Sequence, residues 1–148
     1  MKIAAVQMVS GASLAANLAQ ARGLLAQARD AGAELAVLPE YFAAMGHSDQ
    51  DKLAQAEPLG SGPVQDFLAD AARTLGLWIV GGTLPLRTGD ATRVTNSSLA
   101  FAPTGERVAR YDKIHLFQFE NGRERYEEAR VVAAGRQPVT LDIGARDG

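Results

Sequence analysis

Two short apolar runs near the start of the chain constrain its fold most. They are KIAAVQMV within residues 1–9 and ELAVL at residues 34–38, and the segment between them has helical periodicity. Leu14, Leu18, Ala21, Leu24, Leu25, Ala28 and Ala31 recur at steps of three and four, which puts them on one helix face. Ser13 is a suitable cap for that helix, because its hydroxyl can accept from a free first-turn amide. Gly32 suits the left-handed position just past the last turn. Pro39 ends the second run. Strand, helix and strand of this kind make a βαβ unit with parallel strands and a right-handed crossover.

The rest of the chain extends that pattern. Residues 45–61 hold Gly, His, Ser, Asp, Gln and Pro and are expected to form a long loop with a short helix near 49–56. Pro63 fits a first helical turn, where the missing amide donor costs nothing. Val64, Phe67, Leu68, Ala71, Ala72 and Leu75 form one apolar stripe, and Gly76 closes that second helix. LWIVGGTL, residues 77–84, reads as a central strand in which Gly81 and Gly82 mark a bulge or a close backbone approach. Residues 93–102 and 106–115 read as two strands joined by Pro103-Thr104-Gly105, a hairpin signal. A polar loop is expected over 118–129 and a last strand over 138–143. Residues 143–148 contain turn formers and no closing element. The expected class is α/β with a mixed sheet and flanking helices, in one domain covering residues 1–148 without repeat or linker.

Composition narrows the function. The chain has 148 residues with 47% apolar and 22% charged, which is enough for one packed core. A net charge of -2 gives no electrostatic case for nucleic acid or an anionic membrane surface as partner. No apolar run approaches the ~20 residues of a spanning helix. The opening MKIAAVQMVSGASLAA imitates a signal peptide only faintly, since Gln7 and Ser10 interrupt it, so a cytoplasmic protein is expected. The absence of cysteine excludes disulfides and thiolate metal sites within these residues.

Three positions could carry chemistry. Glu40 directly follows the second strand, at the end where α/β sheets bind ligands. Flanked by Pro39, Tyr41 and Phe42, it is expected to be partly desolvated, which favours general-base work. A cap for the next segment, or a partner for a surface lysine, explains its position as well. Lys113, in ARYDKIHLFQF, could aim an ammonium into a pocket and hold an oxyanion. It could equally be an edge-strand lysine that discourages aggregation. Glu127 and Glu128 lie among Arg123, Arg125 and Arg130 and by themselves read as solvated surface. His47 and His115 have no ligand-spaced partner, so no metal site is expected, and His115 reads as a hydrogen-bonded strand residue. No G-x-S-x-G, P-loop or G-x-G-x-x-G is present.

Taken in order, these segments resemble the nitrilase superfamily of carbon–nitrogen hydrolases, most nearly its small amidases. KIAAVQM is similar to the family's opening strand and ELAVLPEYF to its glutamate motif. RVTNSSLAFAPTGERVARYDKIHLF is similar to the hairpin that ends in the catalytic lysine, and RYEEARVVAAGRQPV to the loop that follows. The resemblance implies that Glu40 is the general base and Lys113 the oxyanion donor. It further implies that Glu128 orients that lysine, with Glu127 one step away as the alternative. Thr95 stands where relatives often carry Tyr, and Gln118 where they often carry Asp. The implied fold is half of a four-layer αββα sandwich.

The resemblance also implies a cysteine nucleophile on the strand after 148, which is the basis for expecting a truncated amidase. The implied substrate is a small linear amide (or nitrile), the intermediate a cysteine acyl-enzyme, and no metal or organic cofactor is needed. The complete enzyme is expected to be a homo-oligomer with no nucleic-acid or membrane partner. The 148 residues alone are expected to be inactive, with apolar sheet surface uncovered. The alternatives are a catalytically dead small-molecule-binding module and a half-subunit that needs a partner chain.

Overall fold

The computed structural model describes residues 1–46 and 48–144 of the chain. Its first unit is the expected βαβ. Strand β1, Ile3–Ala5, pairs in parallel with β2, Leu35–Val37, and helix α1, Leu14–Asp30, connects them. Ser13 caps α1 by accepting from the Ala16 amide at 3.4 Å. Two further helices follow, the short α2 at Asp49–Ala54 and α3 at Pro63–Leu75. Strand β3, Trp78–Val80, lies parallel to β2. Strands β4, Leu84–Arg87, β5, Val94–Phe101, and β6, Arg107–Asp112, complete a mixed sheet of order β1-β2-β3-β5-β4, with β6 on the other side of β5. The expected α/β class with a mixed sheet and flanking helices is therefore what the chain forms.

Alternation along the strands divides the sheet into two unlike faces. Ala36, Ile79, Leu99 and Phe101 point to the side where α1 contributes Ala21 and Leu25 and α3 contributes Leu68, Ala71 and Ala72. All of these are at most 4% exposed. The helices are also tied to each other by the Arg22–Asp70 ion pair at 2.7 Å, with the Arg22 guanidinium 5.1 Å from the Phe67 ring centre. On the opposite face Val37, Trp78 and Val80 stay half-buried and Ile3 is 59% exposed. That apolar row has no helix over it among the described residues.

Four expectations need correction. The single strand over 77–84 is two strands, β3 and β4, which pair with successive halves of β5. The break falls at Gly81-Gly82. Gly82 has φ +50, and a Cβ there would collide with the Pro39 carbonyl, so β2 and the β3–β4 junction can cross only at a glycine. The polar loop over 118–129 is a hairpin, with β7 at Gln118–Glu120, β8 at Arg125–Glu127, and a 3-10 turn at Glu128–Arg130. Asn121-Gly122 makes its turn, and Phe119 opposite Tyr126 and Glu120 opposite Arg125 hold the register. Residues 138–143 form no strand, because they find no neighbouring strand among the described residues. His115 lies exposed in a bend beyond the end of β6, because the ladder with β5 stops at Asp112. The expectations for His47 and for residues 145–148 lie outside the described residues. Among those described, no helix is long and apolar enough to cross a membrane.

Candidate active site

Glu40 is placed by the way β2 ends. The Leu38 amide still bonds to the Val80 carbonyl at 3.0 Å, and the Pro39 carbonyl then lies against Gly82. At Tyr41 the backbone turns through φ +52, a conformation that costs a side-chain-bearing residue on the order of 1 kcal/mol. It is held there by Thr83, whose hydroxyl accepts from the Tyr41 amide at 3.0 Å, and by Phe42, which is fully buried in the core. Asn17 fixes the next turn, donating to the Gly11 and Ala43 carbonyls at 2.8 Å each. Glu40 is thus the outward residue of a tightly held bend. Its expected enclosure by the neighbouring aromatics is not found. Phe42 turns inward, Tyr41 turns toward Glu128, and the Glu40 side chain is 50% exposed.

Lys113 follows β6 and is locked by its backbone on both sides. Its amide donates to the Asn96 carbonyl on β5 at 2.9 Å, and its carbonyl accepts from Gly135 at 2.9 Å. It is therefore not a solvent-directed edge lysine. Its Nζ lies 2.9 Å from Glu40 Oε1 and 2.9 Å from Glu128 Oε2. Burial lowers the Lys113 ammonium, but the hydrogen bonds and charges of these two carboxylates outweigh it and hold the group above its ordinary value. It remains a protonated donor at neutral pH.

Glu128 corrects the reading of a solvated acid, since it is only 2% exposed. Its Oε2 also accepts from the Phe117 amide at 2.9 Å, and its Oε1 accepts from the Tyr41 hydroxyl at 3.3 Å. Burial raises its carboxyl, but the Phe117 amide, Lys113 and the charge of Lys52 together bring it below the ordinary carboxylate value. Burial and the nearby charges of Glu128 and Glu40 push the Tyr41 phenol far up, so it stays a neutral donor. Glu127 faces away and pairs with Arg125 at 3.0 Å. Between the two adjacent acids, geometry puts Glu128 beside the lysine.

The sequence reading passed over Asn96. It is 1% exposed, and its Nδ2 donates to Glu40 Oε1 at 2.8 Å and to Glu128 Oε1 at 3.3 Å. The two carboxylates fix the orientation of this amide, because turning it over would set its oxygen against theirs. The available signal was a polar residue inside the otherwise buried strand VTNSSLAF. Thr95, next to it, points to the other face and pairs with Ser97 at 2.7 Å, and Gln118 is exposed on β7. Neither touches the cluster.

The cluster opens into a cavity of about 340 Å³ lined by Glu40, Tyr41, Met45, Lys52, Lys113 and Tyr126, among others. An apolar cavity of about 270 Å³ adjoins it and shares Tyr41, Ala44 and Gln55. A half-exposed carboxylate, a fixed ammonium and a neutral phenol at one cavity mouth can move a proton and hold a developing negative charge. Among the described residues, no group of three His, Cys, Asp or Glu side chains is placed to hold a metal ion.

Known proteins share this arrangement of elements. The family model for carbon-nitrogen hydrolase matches residues 2–146. The chain is 36% identical over 138 residues to a deaminated glutathione amidase from Synechocystis sp., covering 91% of this chain and 50% of that protein. Its fold is similar to Nit3 of Saccharomyces cerevisiae, described as a member of branch 10 of the nitrilase superfamily. The TM-score is 0.80 at 26% identity, over 96% of this chain and 51% of Nit3. It is also similar to an amidase from Nesterenkonia sp. AN1 whose structure shows acrylamide added at the active site cysteine. There the TM-score is 0.78 at 25% identity, over 99% of this chain and 54% of the amidase. The chain spans about half the length of the curated relatives it matches.

Proposed function

The chain belongs to the carbon–nitrogen hydrolase family, and from that premise we propose that it supplies the base, the oxyanion donor and the orienting acid of an amidase acting on small linear amides (or nitriles). Glu40 is the base, Lys113 the donor and Glu128 the orienting acid. The observation that carries this reading is the position of Lys113 Nζ, 2.9 Å from both Glu40 and Glu128 at the wall of one cavity. The 148 residues contain no cysteine, so the thiol must come from outside them. A serine would not replace it, since a hydroxyl is far harder to ionise.

In the proposed cycle Glu40 takes the proton of the thiol and the thiolate attacks the amide carbon. Loss of the Glu40 charge weakens its hold on Lys113. The ammonium has three N–H groups, and Glu128 keeps one of them, so the others can turn to the tetrahedral oxyanion. Protonated Glu40 then gives its proton to the leaving ammonia or amine as the carbon–nitrogen bond breaks. In the second half Glu40 accepts a proton from water, the hydroxide cleaves the thioester to acid and thiolate, and Glu40 returns the proton to the thiolate. The Synechocystis relative is named for an amide substrate, and the Nesterenkonia amidase takes an amide reagent at its cysteine, which supports this reading.

The test is ammonia release from butyramide. The 148 residues alone are expected to release none. Expressed with a cysteine-bearing strand encoded after codon 148, they are expected to release it, and Lys113→Ala is expected to lower the rate by about 10²–10³-fold. Release by the 148 residues alone, abolished by Lys113→Ala, would refute the requirement for an outside thiol.

A further inference from the structure

The proposed cycle leaves Asn96 without a task. This residue sits in β5, 1% exposed, with its carbonyl accepting from the Lys113 amide at 2.9 Å. Its Nδ2 donates to Glu40 Oε1 at 2.8 Å and to Glu128 Oε1 at 3.3 Å, so a single planar amide joins the two acids. Its own Oδ1 is buried and has no partner among the described residues. An orphaned buried carbonyl works against the fold. An apolar side chain of similar size would suit the buried strand VTNSSLAF without that penalty. The amide therefore serves its two acceptors rather than the packing of β5.

Which oxygen of Glu40 it holds decides what it can do. Lys113 Nζ and Asn96 Nδ2 both donate to Oε1, at 2.9 and 2.8 Å, and Oε2 has no donor among the described residues. Oε2 is therefore the oxygen free to take a proton. When it does, Oε1 becomes the carbonyl oxygen of a carboxylic acid and still accepts from Asn96. Lys113 behaves differently, because in the cycle its N–H groups turn to the oxyanion at that step. Asn96 then holds Glu40 alone, and Glu128 holds Asn96 through the other N–H. We propose that Asn96 is a positioning residue of the reaction, which keeps Glu40 Oε2 aimed at the thiol while Lys113 serves the oxyanion. This rests on the amidase reading above and adds a residue to it.

The test has two arms. In the first, NMR follows the two side-chain N–H protons of Asn96 in the 148-residue chain. Glu40→Gln is expected to move one of them upfield and Glu128→Gln the other, because each loses a charged acceptor. A folded Glu40→Gln chain in which neither proton moves overturns the proposal. The second arm measures ammonia release from butyramide by the chain expressed with a cysteine-bearing strand after codon 148. Asn96→Leu removes both donors at similar volume, and is expected to lower kcat about tenfold with KM changed less than about twofold. Asn96→Asp keeps the shape and turns the donors into acceptors, so kcat is expected to fall at least as far. A role in packing alone would spare Asn96→Asp and would not separate kcat from KM. A folded variant of either kind that keeps the wild-type kcat overturns the proposal. The first arm substitutes nothing at Asn96, so it decides even where both variants fail to fold. A completed wild type that releases no ammonia overturns the amidase reading and this role with it. Turnover without the Asn96–Glu40 contact removes the role of Asn96 alone.

Discussion

Two buried carboxylates of this chain do opposite things. Glu57, 6% exposed, holds the start of α3. Its Oε1 accepts from the Val64 amide at 2.7 Å, and its Oε2 accepts from the Gln65 amide at 3.3 Å and the Gln65 side chain at 3.0 Å. Its backbone bonds to Pro85 and Arg87 of β4. The carboxylate replaces the cap that Gly62 cannot provide, and fills the space where a Cβ on Gly62 would stand. Glu128, 2% exposed, takes one backbone amide, and its other partners are Lys113, Asn96 and Tyr41. The difference lies in what the partners do next. Those of Glu57 lead back into helix and strand along the wall of the adjoining apolar cavity, while those of Glu128 converge on Glu40 and Lys113. Burial and hydrogen bonding do not separate a structural acid from a functional one. The destination of the network does.

That contrast can be broken by mutation. The largest effect is expected for Glu128→Ala. It leaves Lys113 with Glu40 alone and removes the acceptor from the Phe117 amide, and breaking a buried pair from one side costs about 3–5 kcal/mol. Denaturant unfolding should show that loss, and butyramide binding should disappear with it. Glu57→Ala is expected to cost less, about 2–3 kcal/mol, for the orphaned Val64 and Gln65 donors. Butyramide binding should survive it under conditions where the variant is folded. If Glu57→Ala abolishes binding while folded, the division between the two acids is wrong.

The two clusters also differed in how far the sequence revealed them. The βαβ unit, α1 and α3 were legible because their apolar spacing is regular and their ends carry Ser13, Pro63 and Gly76. The place of Glu40 followed from the end of an apolar strand. The burial of Glu128 did not, since an acid between arginines reads as surface until Lys113, Asn96 and Tyr41 are brought to it by three distant segments. The cap role of Glu57 was hidden for the same reason, because its helix begins several residues later and shows only Gly62 and Pro63. The β7–β8 hairpin was hidden by its charge, although Asn121-Gly122 between Phe119 and Tyr126 was there to be read. Local rules report the residue and its neighbours, whereas a polar network is a product of tertiary approach.

The smallest effect, and the one that most sharpens the site side of the contrast, is in the pH dependence of stability. Burial raises the Glu128 carboxyl, but the Phe117 amide and Lys113 outweigh it, so its folded value lies below the ordinary 4.5. A group with a depressed folded value binds its proton more weakly in the native state than in the unfolded chain. Its stabilisation is therefore full above the unfolded value and is lost as pH falls through the folded one. Melting temperature should accordingly decline as pH drops below about 4.5, and Glu128→Gln should flatten part of that decline while lowering stability at pH 7. Lys113 predicts the mirror image. Burial lowers its ammonium and the two carboxylates raise it further, so its folded value lies above 10.5 and its contribution is lost only as pH rises through that value. Between those limits the contributions of Glu128 and Lys113 should not change with pH. A Glu128→Gln variant whose acid-side decline matches wild type would show that Lys113 does not hold this carboxylate in solution, and Glu128 would then stand with Glu57 as an acid of the fold.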